Sequence, residues 1–418
     1  MNNKILPRRV VITGYGAITP LGLTAQESWD AIMDYRIGYR FIDKHPAGIK
    51  SRFYGLVDEN LDLKFLPAVL RRRLPRFAHL AMVSAREAMN MAFGEKAPTE
   101  FYDPLKCGAI IGTGWGGLDE TFKFHEQYKA TGMGSPFACF FSMPSIATAA
   151  CSQFWGLRGY QNSPVAACAT GTMAIGDAFE AIRSGRTDMM LSGGAESLRS
   201  DSAIWNIDVL KALTREEHDI TKASCPFSLE RNGFVLSEGA ATVCLEERES
   251  ALRRGAVILG EISGYGNFSD AVDFTAPAED KLARINTIHA ALTQAGLRAQ
   301  DIDYINAHGT STELNDRNET ESIKMALGDE AYSIPVSSTK GYSGHLIAAA
   351  GSFETIICLQ TLKHQRLPST CHLRVPDPIC DLDFITEGHR EKPVFHTMNL
   401  SFGFGGANAA LIISRGEM

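Results

Sequence analysis

The chain has 418 residues, 44% of them hydrophobic and 21% charged, with a formal net charge of −7. That length and apolar content suit one large folded unit or two fused halves and exclude global disorder. The acidic balance, with basic residues occurring singly or in short clusters such as Arg71-Arg72-Arg73, disfavours nucleic acid as a partner, although such a cluster could receive an acidic protein or simply be solvated.

The opening stretch MNNKILPRRVVITGYG has too short an apolar run for a secretory signal peptide. No segment reaches membrane-spanning length without polar interruption, so the sequence reads as a soluble cytoplasmic protein with no membrane insertion. Arg9 to Thr13 is rich in β-branched residues, as a buried strand is, and Gly14 and Gly16 are expected to allow a tight exit. A helix is expected over 24–35, with Thr24 as its cap and Glu27 completing a capping box. Helical character returns at 75–93, followed by the strand-like CGAIIGTGWGGL at 107–118, a helix over 172–184 and the buried strand DMMLSGGAE at 188–196.

Near residue 257 the opening pattern recurs. VILGEISGYGNF repeats the order of VVITGYGAI: apolar strand, Gly-Tyr-Gly, then loop. A helix over 280–295, the strand DYINAHG at 303–309, a helix after 315 and SIPVSSTKG at 333–341 continue the same α/β alternation. A duplicated α/β unit with its boundary near 255 explains both size and recurrence. The expected halves are 1–255 and 256–418.

Nine cysteines show no CxxC pair, which favours reduced, individually buried thiols over a zinc cage or a disulfide framework. One of them ends an apolar run, in VAACATGT at 165–172. Cys168 would stand at a helix N-terminus, where free N–H groups favour thiolate over thiol; it is a nucleophile or one more core cysteine. His308 in NAHGTST and His345 in STKGYSGHL each lie among glycine and small residues, suiting a shaped pocket or a merely structural histidine. Lys340 precedes His345 by five residues. Glu354 follows it on an apolar helix, where a buried carboxylate needs a partner such as a lysine or a cation. In NLSFGFGGANAALIIS, Phe402 and Phe404 are set among glycines, which suits a mobile aromatic gate or a packed strand edge.

Cys168 in ACATG, His308 in AHGTST, Lys340 and His345 in STKGYSGHL, and GFGG at 403–406 follow the order found in beta-ketoacyl-acyl carrier protein synthases. Over residues 9–414 the chain resembles the elongation-class condensing enzymes of fatty acid synthesis and their type II polyketide relatives. The resemblance implies a duplicated thiolase fold of five αβαβα layers, assembled as a homodimer or as a heterodimer with a chain-length-factor-like subunit. It implies Cys168 as acyl acceptor, His308 and His345 as the pair that supports malonyl decarboxylation, and Lys340 with Glu354 as their supporting network. Phe404 corresponds to the gate, and the N–H groups of Cys168 and Phe404 to the oxyanion hole. Thr310 and Thr312 correspond to contacts of the phosphopantetheine arm. Acyl carrier protein is the implied partner; no cofactor and no catalytic metal are implied.

Against this pattern, Trp115 stands where the family has a smaller aliphatic residue lining the acyl pocket, and Ile207 falls near a phenylalanine position. With Phe402 these residues form the expected acyl pocket, and the indole is expected either to shorten or redirect it or to be absorbed by local repacking. Asp273 occupies a position where the family has histidine. These departures leave a type II polyketide or polyene ketosynthase as the alternative to fatty acid elongation. Retention of Cys168, His308, Lys340 and His345 argues against a non-catalytic interaction subunit.

Overall fold

The computed structural model describes residues 7–43 and 48–416. Residues 1–6, which begin the stretch read above for a signal peptide, lie outside them. Among the described residues no helix is long and apolar enough to cross a membrane, and all nine cysteines are free.

Ten strands form the main sheet: β1 (Val10–Ile18), β2 (Cys107–Gly112), β3 (Gln161–Asn162), β4 (Met189–Glu196), β5 (Gly239–Glu247), β6 (Gly260–Ser269), β7 (Tyr304–Asn306), β8 (Val336–Ser337), β9 (His396–Gly403) and β10 (Ala407–Ser414). Their spatial order is β8-β7-β9-β10-β6-β1-β5-β4-β2-β3. Outward from its centre, the first half runs β1-β5-β4-β2-β3 and the second β6-β10-β9-β7-β8. Each half uses antiparallel pairing for its first two steps and parallel pairing for its last two. β1 and β6 join the halves through the short antiparallel register Val10↔Ile262 to Ile12↔Gly260.

The helices that matter here are α1 (Ala25–Met33), α2 (Arg76–Phe93), α3 (Leu118–Thr131), α4 (Ile146–Trp155), α5 (Thr170–Arg183), α6 (Asp201–Asp208), α7 (Leu282–Ala295), α8 (Glu313–Leu327) and α9 (Ala350–His364). α2 and α4 cover the outer face of the first half, α7 and α8 that of the second, and α5 with α9 fill the space between the two. The result is five layers, α/β/α/β/α.

Strand alternation supplies three apolar slabs between these layers. Val10, Ile12, Ile110, Leu411 and Ile413 point into the middle slab. Ala109 and Ile111 face α2 and α4, while Ala410 and Ile412 face α7. α9 is buried all round from Ala350 to Leu362, as a helix between the two halves of the sheet must be.

The Gly-Tyr-Gly repeat has a different cause from the one expected. Gly14 and Gly16 lie inside β1, not at its exit. A side chain at Gly14 would come within 2.1 Å of the Ala88 carbonyl on α2; one at Gly264 would come within 2.1 Å of the Ala291 carbonyl on α7. In both halves the glycines let an outer helix press against the central strand, and Tyr15 and Tyr265 project from the opposite face. Thr24 caps α1 as expected, accepting from the Glu27 N–H at 3.1 Å, but the Glu27 carboxylate reaches back to Leu23 instead of Thr24.

Candidate active site

Cys168 occupies the short 3-10 turn Ala167–Ala169 immediately before α5. Ala167 holds φ at +46°, a left-handed conformation unfavourable for a residue with a side chain and typical of functional turns. The second half repeats the device: Ile347–Ala349 precedes α9, with Ile347 at φ +51°. Ala348 there takes the place of Cys168, so of the two repeated turns only the first carries a thiol. Gly403, at the end of β9, closes on the first turn. A side chain at Gly403 would meet the Ala166 carbonyl at 2.6 Å and the Ala169 nitrogen at 3.0 Å.

The second half brings the histidines. His308 follows β7, and its loop is pinned from α8: the Glu319 carboxylate accepts from the N–H of His308 at 2.6 Å and of Gly309 at 2.8 Å. Lys340 donates to the His308 carbonyl at 2.6 Å and to the carboxylate of Glu354 on α9. His345 Nδ1 accepts the N–H of Ile347 at 3.1 Å, which leaves the proton of the neutral ring on Nε2. That Nε2 is buried without a partner among the described residues, as is His308 Nδ1.

One donor atom each from Cys168, His308 and His345 lie within 4.8 Å of one another, a set that would also suit a soft divalent cation. The two imidazoles stand nearly perpendicular, with centroids 5.4 Å apart. They share a cavity of about 480 Å³ with Cys168, Phe402 and Phe404. Thr310 and Thr312 line it as well, their hydroxyls 2.9 Å apart; Thr312 also caps α8. The Asp273 carboxylate accepts from the N–H groups of Thr275 and Ala276 and so shapes the turn at the cavity wall.

Burial governs the electrostatics. Loss of water pushes the Cys168 thiol up to about 12, against the opposing pull of Lys340 and of the N–H groups of Phe404 and Cys168 that point at the sulfur. Against the thiolate expected from the helix N-terminus, Cys168 is 5% exposed, and this burial favours the neutral thiol at rest. His308 and His345 are both held well below the ordinary histidine value by burial and by Lys340. They are neutral at physiological pH. Burial raises Glu354 and Glu319 to about 7.

Trp115 and Ile207 do not line this cavity. They pack in an apolar cluster with Ile204, Phe234 and Ile347 that adjoins the cavity: Phe234 lines it and packs edge-on against His345 at 5.0 Å, and Ile347 donates its N–H to His345 Nδ1. Phe402 instead stands beside His308, centroids 6.0 Å apart. Of the three residues expected to form the acyl pocket, Phe402 lines this cavity, and Trp115 and Ile207 pack in the cluster beside it. Glu319 and Glu196 escaped the sequence reading; Glu196, raised to about 8 by burial, receives the N–H of Gly114 at 2.7 Å and so braces the loop carrying Trp115. Acids inside a polar helix and at the end of a strand gave no pattern signal.

The Beta-ketoacyl synthase N-terminal domain family matches residues 7–251, and the Beta-ketoacyl synthase C-terminal domain family matches residues 259–374. A 3-oxoacyl-[acyl-carrier-protein] synthase 2 of Synechocystis is 38% identical over 411 residues, covering 98% of each chain. Among solved structures, a type II polyketide ketosynthase, determined with its acyl-carrier protein and bound to the hexaketide, superposes with a TM-score of 0.90 at 31% identity, covering 98% of this chain and all of that one. The ishigamide ketosynthase/chain length factor superposes with a TM-score of 0.87 at 28% identity over 98% of this chain and 100% of that chain.

Proposed function

The chain belongs to the beta-ketoacyl synthase family, and on that premise we propose that Cys168, His308 and His345 carry its chemistry. The enzyme condenses an acyl group with malonyl-acyl carrier protein and forms a carbon–carbon bond. Its substrates travel on the phosphopantetheine arm of acyl carrier protein, with no other cofactor. The observation that carries the assignment of residues is the convergence of one thiol and two neutral imidazoles within 4.8 Å.

Cys168 attacks the acyl thioester; its proton passes through a neutral imidazole to the departing pantetheine sulfur, which leaves as the carrier's thiol and returns the imidazole to its neutral form. The N–H groups of Cys168 and Phe404, aimed at the sulfur, stabilise the tetrahedral oxyanion. Malonyl carrier protein then enters. Its carboxyl C–C bond breaks, CO2 departs and the electron pair passes to the thioester enolate. Neutral His345 donates to that oxygen through Nε2–H, and His308 supplies the second ring donor. The enolate carbon attacks acyl-Cys168, and the thiolate leaves and is reprotonated. Lys340 and Glu354 act by positioning His308, Thr310 and Thr312 contact the arm, and Phe404 gates the cavity.

In this reading the chain divides near residue 255 into a half bearing the nucleophile and a half bearing the histidines, supported by the repeated strand order. It pairs with a second ketosynthase-fold chain, either its own copy or a chain-length-factor-like subunit. The exposed edge strand β3 and the exposed Phe140, Val165 and Trp205 support such pairing. A role in polyketide or polyene assembly is the second reading, favoured by the similarity to a type II polyketide ketosynthase and to a ketosynthase/chain length factor.

Intact-protein mass spectrometry with acyl and malonyl carrier proteins tests the residue roles. Cys168→Ala is expected to abolish acyl loading and condensation while retaining malonyl decarboxylation, and the double variant His308→Ala/His345→Ala to lose decarboxylation. Condensation by Cys168→Ala at the parent rate would refute the assignment.

A further inference from the structure

Arg284 on α7 is 5% exposed and lines the same cavity as Cys168, His308 and His345. Its guanidinium lies 4.1 Å from the centroid of the Phe402 ring, and Phe402 in turn stands beside His308. Nε and Nη1 are buried with no hydrogen-bond partner among the described residues. Leaving two donors of a buried cation idle is costly, which points to a partner that the protein does not itself supply.

The acids that act on Arg284 through space are Glu319, Asp270 and Asp316, and each is engaged elsewhere. Glu319 holds the N–H groups of His308 and Gly309. Asp316 holds those of Phe227 and Thr310. Asp270 receives Asn408 and the N–H of Ala278. Idle guanidinium N–H donors in a desolvated pocket fit an anionic oxygen acceptor such as a carboxylate. Of the two substrates, only the malonyl extender carries one at its reactive end.

We propose that Arg284 binds the carboxylate of the malonyl group and so distinguishes the extender from the acyl donor at this cavity. The proposal rests on the condensation reading above. The guanidinium makes no bond during the reaction: the carboxyl C–C bond breaks, its electron pair passes to the enolate and CO2 departs. A contact to the departing carboxylate stabilises the bound substrate at least as much as the transition state, so its loss raises KM and leaves kcat unchanged or higher.

The test uses the full-length enzyme as parent, Arg284→Ala, Arg284→Gln and Arg284→Lys. KM for malonyl carrier protein is expected to rise about tenfold or more in the Ala and Gln variants, with partial recovery in Lys. Acyl loading of Cys168 is expected to stay within about twofold of the parent. In a competition assay the parent should prefer malonyl-pantetheine to acetyl-pantetheine, and Arg284→Gln should lose that preference. An unchanged KM in Ala and Gln overturns the proposal. So does equal weakening of acyl loading and malonyl use, which would indicate a contact to the arm's phosphate or a structural role. If Arg284→Ala does not fold, the competition result with Arg284→Gln or Arg284→Lys decides. A parent that fails to decarboxylate malonyl carrier protein overturns the condensation reading as well, whereas a competent parent with unaffected variants overturns this inference alone.

Discussion

Lys340 and Glu354 form an ion pair in which each side chain is 2% exposed, and the same ammonium reaches the backbone carbonyl of His308. The pair therefore ties α9 to the loop that carries His308. Breaking a buried pair costs more than the pair contributes, because the surviving charge is left without water or partner.

Lys340→Met is expected to destabilise the protein by about 3–5 kcal/mol and to reduce turnover. The loss has a pH signature. Burial raises Glu354 from its ordinary value to about 7, so the folded state binds its proton more tightly than the unfolded chain; stability from this group is full at low pH and falls as pH rises through about 7. Removing the opposing lysine raises Glu354 further. Urea denaturation should show Lys340→Met penalised more at pH 8 than at pH 6, and Lys340→Met/Glu354→Gln should recover part of the loss; equal penalties at both pH values would contradict the argument.

Cys168 is a thiol at rest. With its pKa pushed up to about 12, the thiolate fraction grows about tenfold per pH unit throughout the range below that value. Iodoacetamide alkylation of Cys168, followed by peptide mass spectrometry, should accelerate steadily from pH 7 to pH 10. A plateau near neutrality would mean that the helix terminus dominates after all.

His308 and His345 are depressed well below the ordinary histidine value. Each stays neutral as pH falls through about 6.5, where a solvated imidazole would gain its proton. Malonyl decarboxylation by Cys168→Ala should consequently show no loss between pH 8 and pH 6.5 attributable to imidazolium formation. His345→Ala, which removes a preorganised donor, is expected to slow decarboxylation by about 10²–10³.

Gly403, at the end of β9, is the point where that strand touches the turn bearing Cys168. A methyl group there would overlap the Ala166 carbonyl, and relief must come from moving either β9 or Ala167–Ala169. Gly403→Ala should cost about 1–3 kcal/mol in stability and about 10² in the rate of acyl loading, since displacement of a reacting group by about 1 Å carries that order of penalty. Normal loading kinetics in a stable variant would show that the turn tolerates the shift.

Trp115 packs in the apolar cluster of Ile207 and Ile347, which shares Phe234 with the wall of the cavity that holds Phe402. If this cluster limits the acyl channel, Trp115→Ile should extend the chain lengths loaded on Cys168, read by intact mass with carrier proteins bearing graded acyl groups. An unchanged length profile would place the limit elsewhere.

The sequence by itself determined the layered α/β class, the internal repeat and the residues that converge, because strand alternation, glycine placement and short motifs are local and survive without coordinates. Thr24 at the start of α1 and the elements around 76–93 and 282–295 were legible for that reason. Tertiary structure alone decided what depends on burial and on contacts across the chain. Gly14 and Gly264 are explained by helices pressed on them from more than twenty residues away, not by turns. The resting state of Cys168 is set by desolvation, which a helix N-terminus read in isolation does not reveal. Glu319 and Arg284 sit in ordinary helical sequence, and only the packing of α7 and α8 against the His308 loop gives one a backbone to hold and leaves the other with donors to spare.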